Sequence, residues 1–134
     1  MRLGQLIYTS RPFGFDAPTL DDILLVARAN NARSRITGAL ICRADLYMQL
    51  LEGPRDTLTD TFGRILRDDR HLEVRLVHCS DAPARLFPEW SMRDDPPHSW
   101  MWTQEQVRAG AARDALASEA MDVFARLATL PRGG

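Results

Sequence analysis

The sequence contains no lysine, only two cysteines, and no apolar run approaching the ~20 residues that cross a bilayer. The missing run argues against a membrane helix, and the opening MRLGQLIYTS lacks the long apolar stretch of a signal peptide. A soluble, cytoplasmic protein is therefore expected. Cys42 and Cys79 lie in strand-like runs without CxxC or CxxH spacing, which predicts buried, reduced thiols rather than a disulfide or a metal site. The absence of lysine carries no functional weight, because a genome-wide coding bias is enough to account for it. A net charge of −1 leaves no basic footprint for nucleic acid or for an acidic membrane surface. Gly-rich phosphate loops, the GxSxG elbow and paired carboxylates are missing too. His71, His78 and His98 have neither metal-ligand spacing nor an evident nucleophile partner. Nothing among these residues supports enzymatic turnover.

What is present suits one soluble core: 45% of the residues are apolar and 26% charged, in a chain long enough to fold without disulfides. RLGQLIYTS alternates like a strand, with Gly4, Leu6 and Tyr8 on one side and Leu3, Gln5 and Ile7 on the other. After the loop RPFGFDAP, Thr19 reads as an N-cap, and Asp21 and Asp22 suit the positive end of a helix. Leu20, Ile23, Leu24 and Ala27 predict that helix over about residues 20–29, with ANNARSR stopping it. ITGALIC and LYMQLLE form a predicted hairpin joined by RAD. Pro54 can open a second helix, whose apolar face (Leu58, Phe62, Ile65, Leu66) runs to about Arg67. EVRLVHC reads as a fourth strand. EWSM reads as a short fifth, in which Trp90 and Met92 face the same way.

The order β-α-β-β-α-β predicts an α+β, ferredoxin-like sandwich of one sheet against two helices. Residues 1–95 would form this unit and 96–134 a helical extension on the other sheet face. In that extension Thr103 and Gln106 predict a capping box and Gly110 a break. Val107, Ala111, Leu116, Met121, Phe124 and Leu127 would supply its apolar side.

One residue contradicts the pattern of its own strand. Gln49 stands among Leu46, Met48, Leu50 and Leu51, and an unpaired buried amide costs roughly 1–3 kcal/mol. The first and third strands are central neighbours in this fold, so Tyr8 and Gln49 can meet although far apart in the chain. A phenol and carboxamides without an obvious charge suit a planar heteroaromatic with an imide edge, because a carboxamide offers both donor and acceptor. Ile23 and Ile65 on the two helices would sandwich such a ring.

NNARSRITGALICRADLYMQLLEG, ILRDDRH and RLFPEWSM, with Tyr8 in IYTS, occur in this order over about residues 2–93. They resemble the BLUF family of blue-light sensors using flavin, in its short form. The resemblance implies a ferredoxin-like fold with FAD between the two helices. It implies that Tyr8 bonds Gln49, which reaches flavin N5 and O4, and that Asn31 holds the imide edge with Asn30 assisting. Arg64 and Asp68 match polar positions near the pyrimidine edge, and Ile23 and Ile65 the apolar clamp. Trp90 and Met92 match a pair that exchanges places near the glutamine.

The chemistry so implied is photochemical: Tyr8 donates an electron and a proton, and Gln49 rotates or tautomerises, red-shifting flavin absorption. The signal would leave through the last strand and the C-terminal helices to an unidentified protein partner, in a homo-oligomer, with Trp100 and Trp102 packed on the sheet or at a subunit contact. Singly, each residue has an ordinary explanation: Tyr8, Trp90 and Met92 as core, Asn30-Asn31 as a helix stop, Arg64 and Asp68 as a surface ion pair, and His71 as a structural hydrogen-bonder. The rival readings are a light-independent ferredoxin-like module that binds a ligand or protein, and a flavin-dependent oxidoreductase, for which the acid–base groups are missing.

Overall fold

The computed structural model describes residues 3–12, 17–68, 71–90, 92–95 and 101–130. β1 (Leu3–Pro12) is buried without a break from Leu6 to Ser10, and β2 (Thr37–Arg43) and β3 (Leu46–Pro54) form a hairpin turning at Ala44 and Asp45. With β4 (His71–Ala82) and β5 (Arg93–Asp95) they make one sheet in the order β4-β1-β3-β2-β5. Each neighbouring pair among the first four strands is antiparallel, and β5 joins β2 in parallel. The ferredoxin-like arrangement read from the sequence is the observed one.

Helices cover both faces of this sheet, which is why β3 is buried at every position rather than at alternate ones. On one face lie α1 (Ala17–Ser34) and α2 (Arg55–Arg67), enclosing Leu6, Tyr8, Leu40, Tyr47, Leu51, Leu58 and Met92. On the other lie α3 (Gln104–Arg108) and α4 (Ala117–Ala128). Ala120, Phe124 and Leu127 of α4 pack there with Ile7, Met48, Leu50 and Phe87. Thr103 and Gln106 form the expected capping box, and Gly110, at φ 102°, marks the break that follows α3. Trp102 packs on the sheet side of this layer, and its carbonyl accepts from Arg43 Nη1 at 2.7 Å. His98 and Trp100 lie outside the described residues.

The structure corrects several local expectations. The first helix runs to Ser34, so Asn30 and Asn31 belong to its last turns and do not end it. Termination falls to Arg35, which adopts the left-handed conformation (φ 60°), while the Ile36 N–H reaches back to the Asn31 carbonyl at 2.9 Å. This is a Schellman closure built without glycine, held by Arg85 Nη2 donating to the Arg35 carbonyl at 2.8 Å. The helix begins at Ala17, which puts Thr19 inside its first turn instead of at the cap and moves Asp21 and Asp22 beyond that turn.

The fifth strand begins at Arg93, after EWSM. Trp90 and Met92 therefore precede it and do not share a face: Trp90 packs against the α4-side core, Met92 within the α1/α2-side core. Cys79, on the outer strand β4, is exposed, and Cys42 is half-buried. Leu116 is exposed too, serving as the N-cap position of α4 rather than as core.

Candidate functional site

Register places the two polar residues singled out in the sequence directly opposite each other: Tyr8 in β1 pairs with Gln49 in β3. Both project to the α1/α2 face, and both are buried, Tyr8 completely. The Tyr8 hydroxyl donates to Gln49 Oε1, and Gln49 Nε2 donates to Met92 Sδ at 3.2 Å. The puzzle of an amide in an apolar strand is thereby half resolved. A carboxamide has two N–H groups and two acceptor lone pairs, and Gln49 uses one of each, the second on a weak sulfur acceptor. Its remaining hydrogen-bonding capacity borders a cavity.

That cavity, about 240 Å³, opens between α1 and α2. Ile23, Asn30 and Asn31 line it from α1, Arg64 and Ile65 from α2, Asp68 just beyond, and Gln49 from the sheet. Seven of the eight residues expected to bind a ligand thus surround one space, and Tyr8 stands behind Gln49, in contact with it. Asn31 is buried, and the Asn30 side chain accepts from Arg33 Nη2 at 2.6 Å. Arg64 Nη2 lies 3.3 Å from Thr61 Oγ1, to which it donates. Ile23 and Ile65 line the cavity from separate helices and could hold a flat ring between them. The carboxamides at its inner edge supply the paired donor and acceptor that an imide requires. The residues present fit a planar heteroaromatic bearing an imide.

Tyr8 is held by its surroundings. Its ring lies 5.7 Å from Phe62 and 5.9 Å from His71, edge-on to the latter. Burial, reinforced by the nearby Cys42, Asp68 and Tyr47, pushes its phenol well above the ordinary range, so it stays protonated and able to donate. His71 is fixed by a 2.9 Å hydrogen bond between Nδ1 and Ser10 Oγ and by an edge contact with Tyr47. The backbone of Met92 is gripped by Arg28 of α1, whose Nε donates to its carbonyl at 3.1 Å. Trp90 stands away from this face, and its carbonyl accepts from the Gly38 N–H at 3.1 Å.

Sequence reasoning missed the floor and one wall of the cavity: Leu40, Leu51, Thr61 and His71. The signal was available for some of these. Leu51 is two residues from Gln49 on the same strand face, and Thr61 is one helical turn before Ile65. Also missed was Glu52, buried on the opposite face, where Oε2 accepts from the Leu86 N–H at 2.7 Å and Oε1 from the Phe87 N–H at 2.9 Å. It ties the segment leading to Trp90 and Met92 onto the central strand.

Comparison with known proteins points the same way. The family model described as sensors of blue light using FAD (BLUF) matches residues 3–93. The chain is 38% identical over 74 residues to the photoactivated adenylate cyclase subunit beta of Euglena gracilis, covering 54% of this chain and 9% of that protein. It is 33% identical over 92 residues to the blue light- and temperature-regulated antirepressor BluF of Escherichia coli K12, covering 67% of this chain and 23% of that one. It thus spans less than a quarter of the length of either relative. The dark-state structure of BlrB, a BLUF protein, superposes with a TM-score of 0.75 at 30% identity, covering 96% of both chains.

Proposed function

The chain belongs to the BLUF family, the sensors of blue light using FAD, and on that premise we propose that it is a blue-light photoreceptor switched by the Tyr8–Gln49–Met92 hydrogen-bond chain. The carrying observation is that chain itself: a fully buried phenol donating to a carboxamide whose spare hydrogen-bonding groups border a cleft lined by Ile23, Ile65 and two asparagines. Ile23 and Ile65 would hold the ring of FAD, Asn31 its imide edge with Asn30 beside it, and Arg64 and Asp68 its polar rim. When bound, flavin supplies blue-light absorption and, once excited, the power to oxidise a nearby phenol.

Tyr8, whose buried phenol stays protonated, would be the electron and proton donor to that group and would recover both when charge recombines. While the proton is away, Gln49 loses the donor that fixes Oε1. The amide is free to rotate or to tautomerise to the imidic acid, and its oxygen and nitrogen exchange partners. Rotation breaks the weak bond to Met92 Sδ, so the change reaches the segment before β5. Two arrangements that differ by a few hydrogen bonds of about 1 kcal/mol each make a bistable element.

From Met92 the signal would pass along residues 90–95 to the extension 96–134 and to a protein partner, in a cytoplasmic homo-oligomer with no turnover of its own. Two observations support that route: Arg28 holds the Met92 carbonyl, and Trp90 packs against the core that α4 forms with the sheet. The test is spectroscopic. Protein purified with FAD should be yellow and show a reversible red shift under blue light. A protein that stays colourless after flavin addition would favour a light-independent binding module, and steady redox turnover would favour an oxidoreductase.

A further inference from the structure

We propose that a second cleft, on the sheet face opposite the flavin cavity, binds a small phosphate-bearing anion. The cleft, of about 350 Å³, lies between the sheet and the C-terminal extension and is lined on one side by Thr9, Arg11, Asp45 and Arg75 and on the other by Arg108 and Arg113. Thr9 shares its strand face with Ile7, whose core neighbours are those of α4, so this site and the Gln49 site are separated by the thickness of the sheet.

Two independent features point to an anion. The first is charge that is left over. Arg11 is engaged by Glu73, Arg113 by Asp114, and Asp45 by Arg43. Arg75 feels only a longer-range attraction to Asp114, and Arg108 has neither an ion pair nor a hydrogen bond among the described residues. Two guanidinium forks therefore border the cleft with their donors unspent, the group that matches phosphate oxygens in pairs.

The second is a buried hydroxyl. Thr9 is 3% exposed, yet its side chain has no hydrogen-bond partner among the described residues. A polar group so placed calls for a hydrogen-bond partner, which a ligand oxygen in the cleft can supply. Thr9 and Arg75 are direct cross-strand partners and both line the cleft, so the hydroxyl and this arginine issue from neighbouring positions of the sheet. Gly110 lies on the opposite wall, where its φ of 102° sets the backbone turn beside Arg113. A phosphate accepting from Thr9, Arg75 and Arg108 would bridge the sheet to the extension.

The experiment is titration of the full-length, FAD-loaded protein with inorganic pyrophosphate by isothermal calorimetry, with excess FAD present. Saturable binding at one site per chain is expected. Arg75→Gln and Arg108→Gln, both at exposed positions, should each weaken it about tenfold or more. The isosteric Thr9→Val should weaken it about fivefold with an unchanged circular dichroism spectrum. Absence of saturable binding at millimolar pyrophosphate, equal binding by all variants, or competition between pyrophosphate and FAD would each overturn the proposal. The last outcome would assign the phosphate contacts to the flavin tail.

Discussion

Glu52 offers a quantitative test of how the segment carrying Trp90 and Met92 is held. Its carboxylate, 1% exposed, accepts from the Leu86 and Phe87 backbone N–H groups at 2.7 and 2.9 Å. Burial pushes its carboxyl upward, and the two N–H donors and the nearby Arg85 oppose that push. Each hydrogen bond to a charged acceptor is worth about 1.5–3 kcal/mol. Glu52→Gln leaves one accepting oxygen and turns an NH₂ toward the other N–H, so it should cost about 2 kcal/mol. Glu52→Ala loses both bonds and strands both donors. That gross cost of roughly 3–6 kcal/mol is partly offset by no longer burying a charge.

Against a total stability of about 5–15 kcal/mol, either loss is large. Urea unfolding monitored by circular dichroism should show the midpoint falling in the order wild type, Gln, Ala. The thermal midpoint of the Gln variant should drop by roughly 8 °C. If Glu52→Gln falls within about 0.5 kcal/mol of wild type, a range ordinary for surface substitutions, the clamp is not what holds this segment.

Other outcomes follow from the same geometry. Tyr8→Phe keeps the ring packed against Phe62 and His71 but strips the donor from Gln49 Oε1. It should cost about 1–3 kcal/mol in urea unfolding and abolish the stable light-induced shift. Phe124→Ala removes a fully buried ring between α4 and the sheet and should cost about 3–5 kcal/mol by the same assay. The Tyr8 phenol also sets an alkaline limit. Its pKa is raised in the folded state above the ordinary 10.0, so the unfolded chain releases this proton first. Stability should be full below about pH 10 and fall as pH rises beyond it, a dependence that Tyr8→Phe should reduce when unfolding is followed across that range.

Part of the site was legible because strand order and helical spacing meet there. The strand order of a β-α-β-β-α-β chain sets β1 beside β3, so Tyr8 and Gln49 could meet, while Asn31, Arg64 and Asp68 were legible only through the family resemblance. Helical spacing puts Ile23 and Ile65 on the inner sides of α1 and α2. The failures arose where tertiary bonds override local propensity. Asn30-Asn31 reads as a stop, yet α1 continues because Arg35 accepts the left-handed turn and Arg85 secures its carbonyl. EWSM reads as a strand, yet the Trp90 N–H turns back to the Phe87 carbonyl at 3.4 Å, and pairing starts only at Arg93. Glu52 was not legible at all, since the donors that justify a buried carboxylate lie on a distant loop.

The most direct measurement of the central claim is the light-minus-dark absorption spectrum of Gln49→Leu beside that of the wild type. Leucine matches the volume of the carboxamide but can neither accept from Tyr8 nor re-aim a hydrogen bond. The variant should keep its yellow flavin and lose the red shift that the wild type shows. A normal, reversible red shift in Gln49→Leu would contradict that claim.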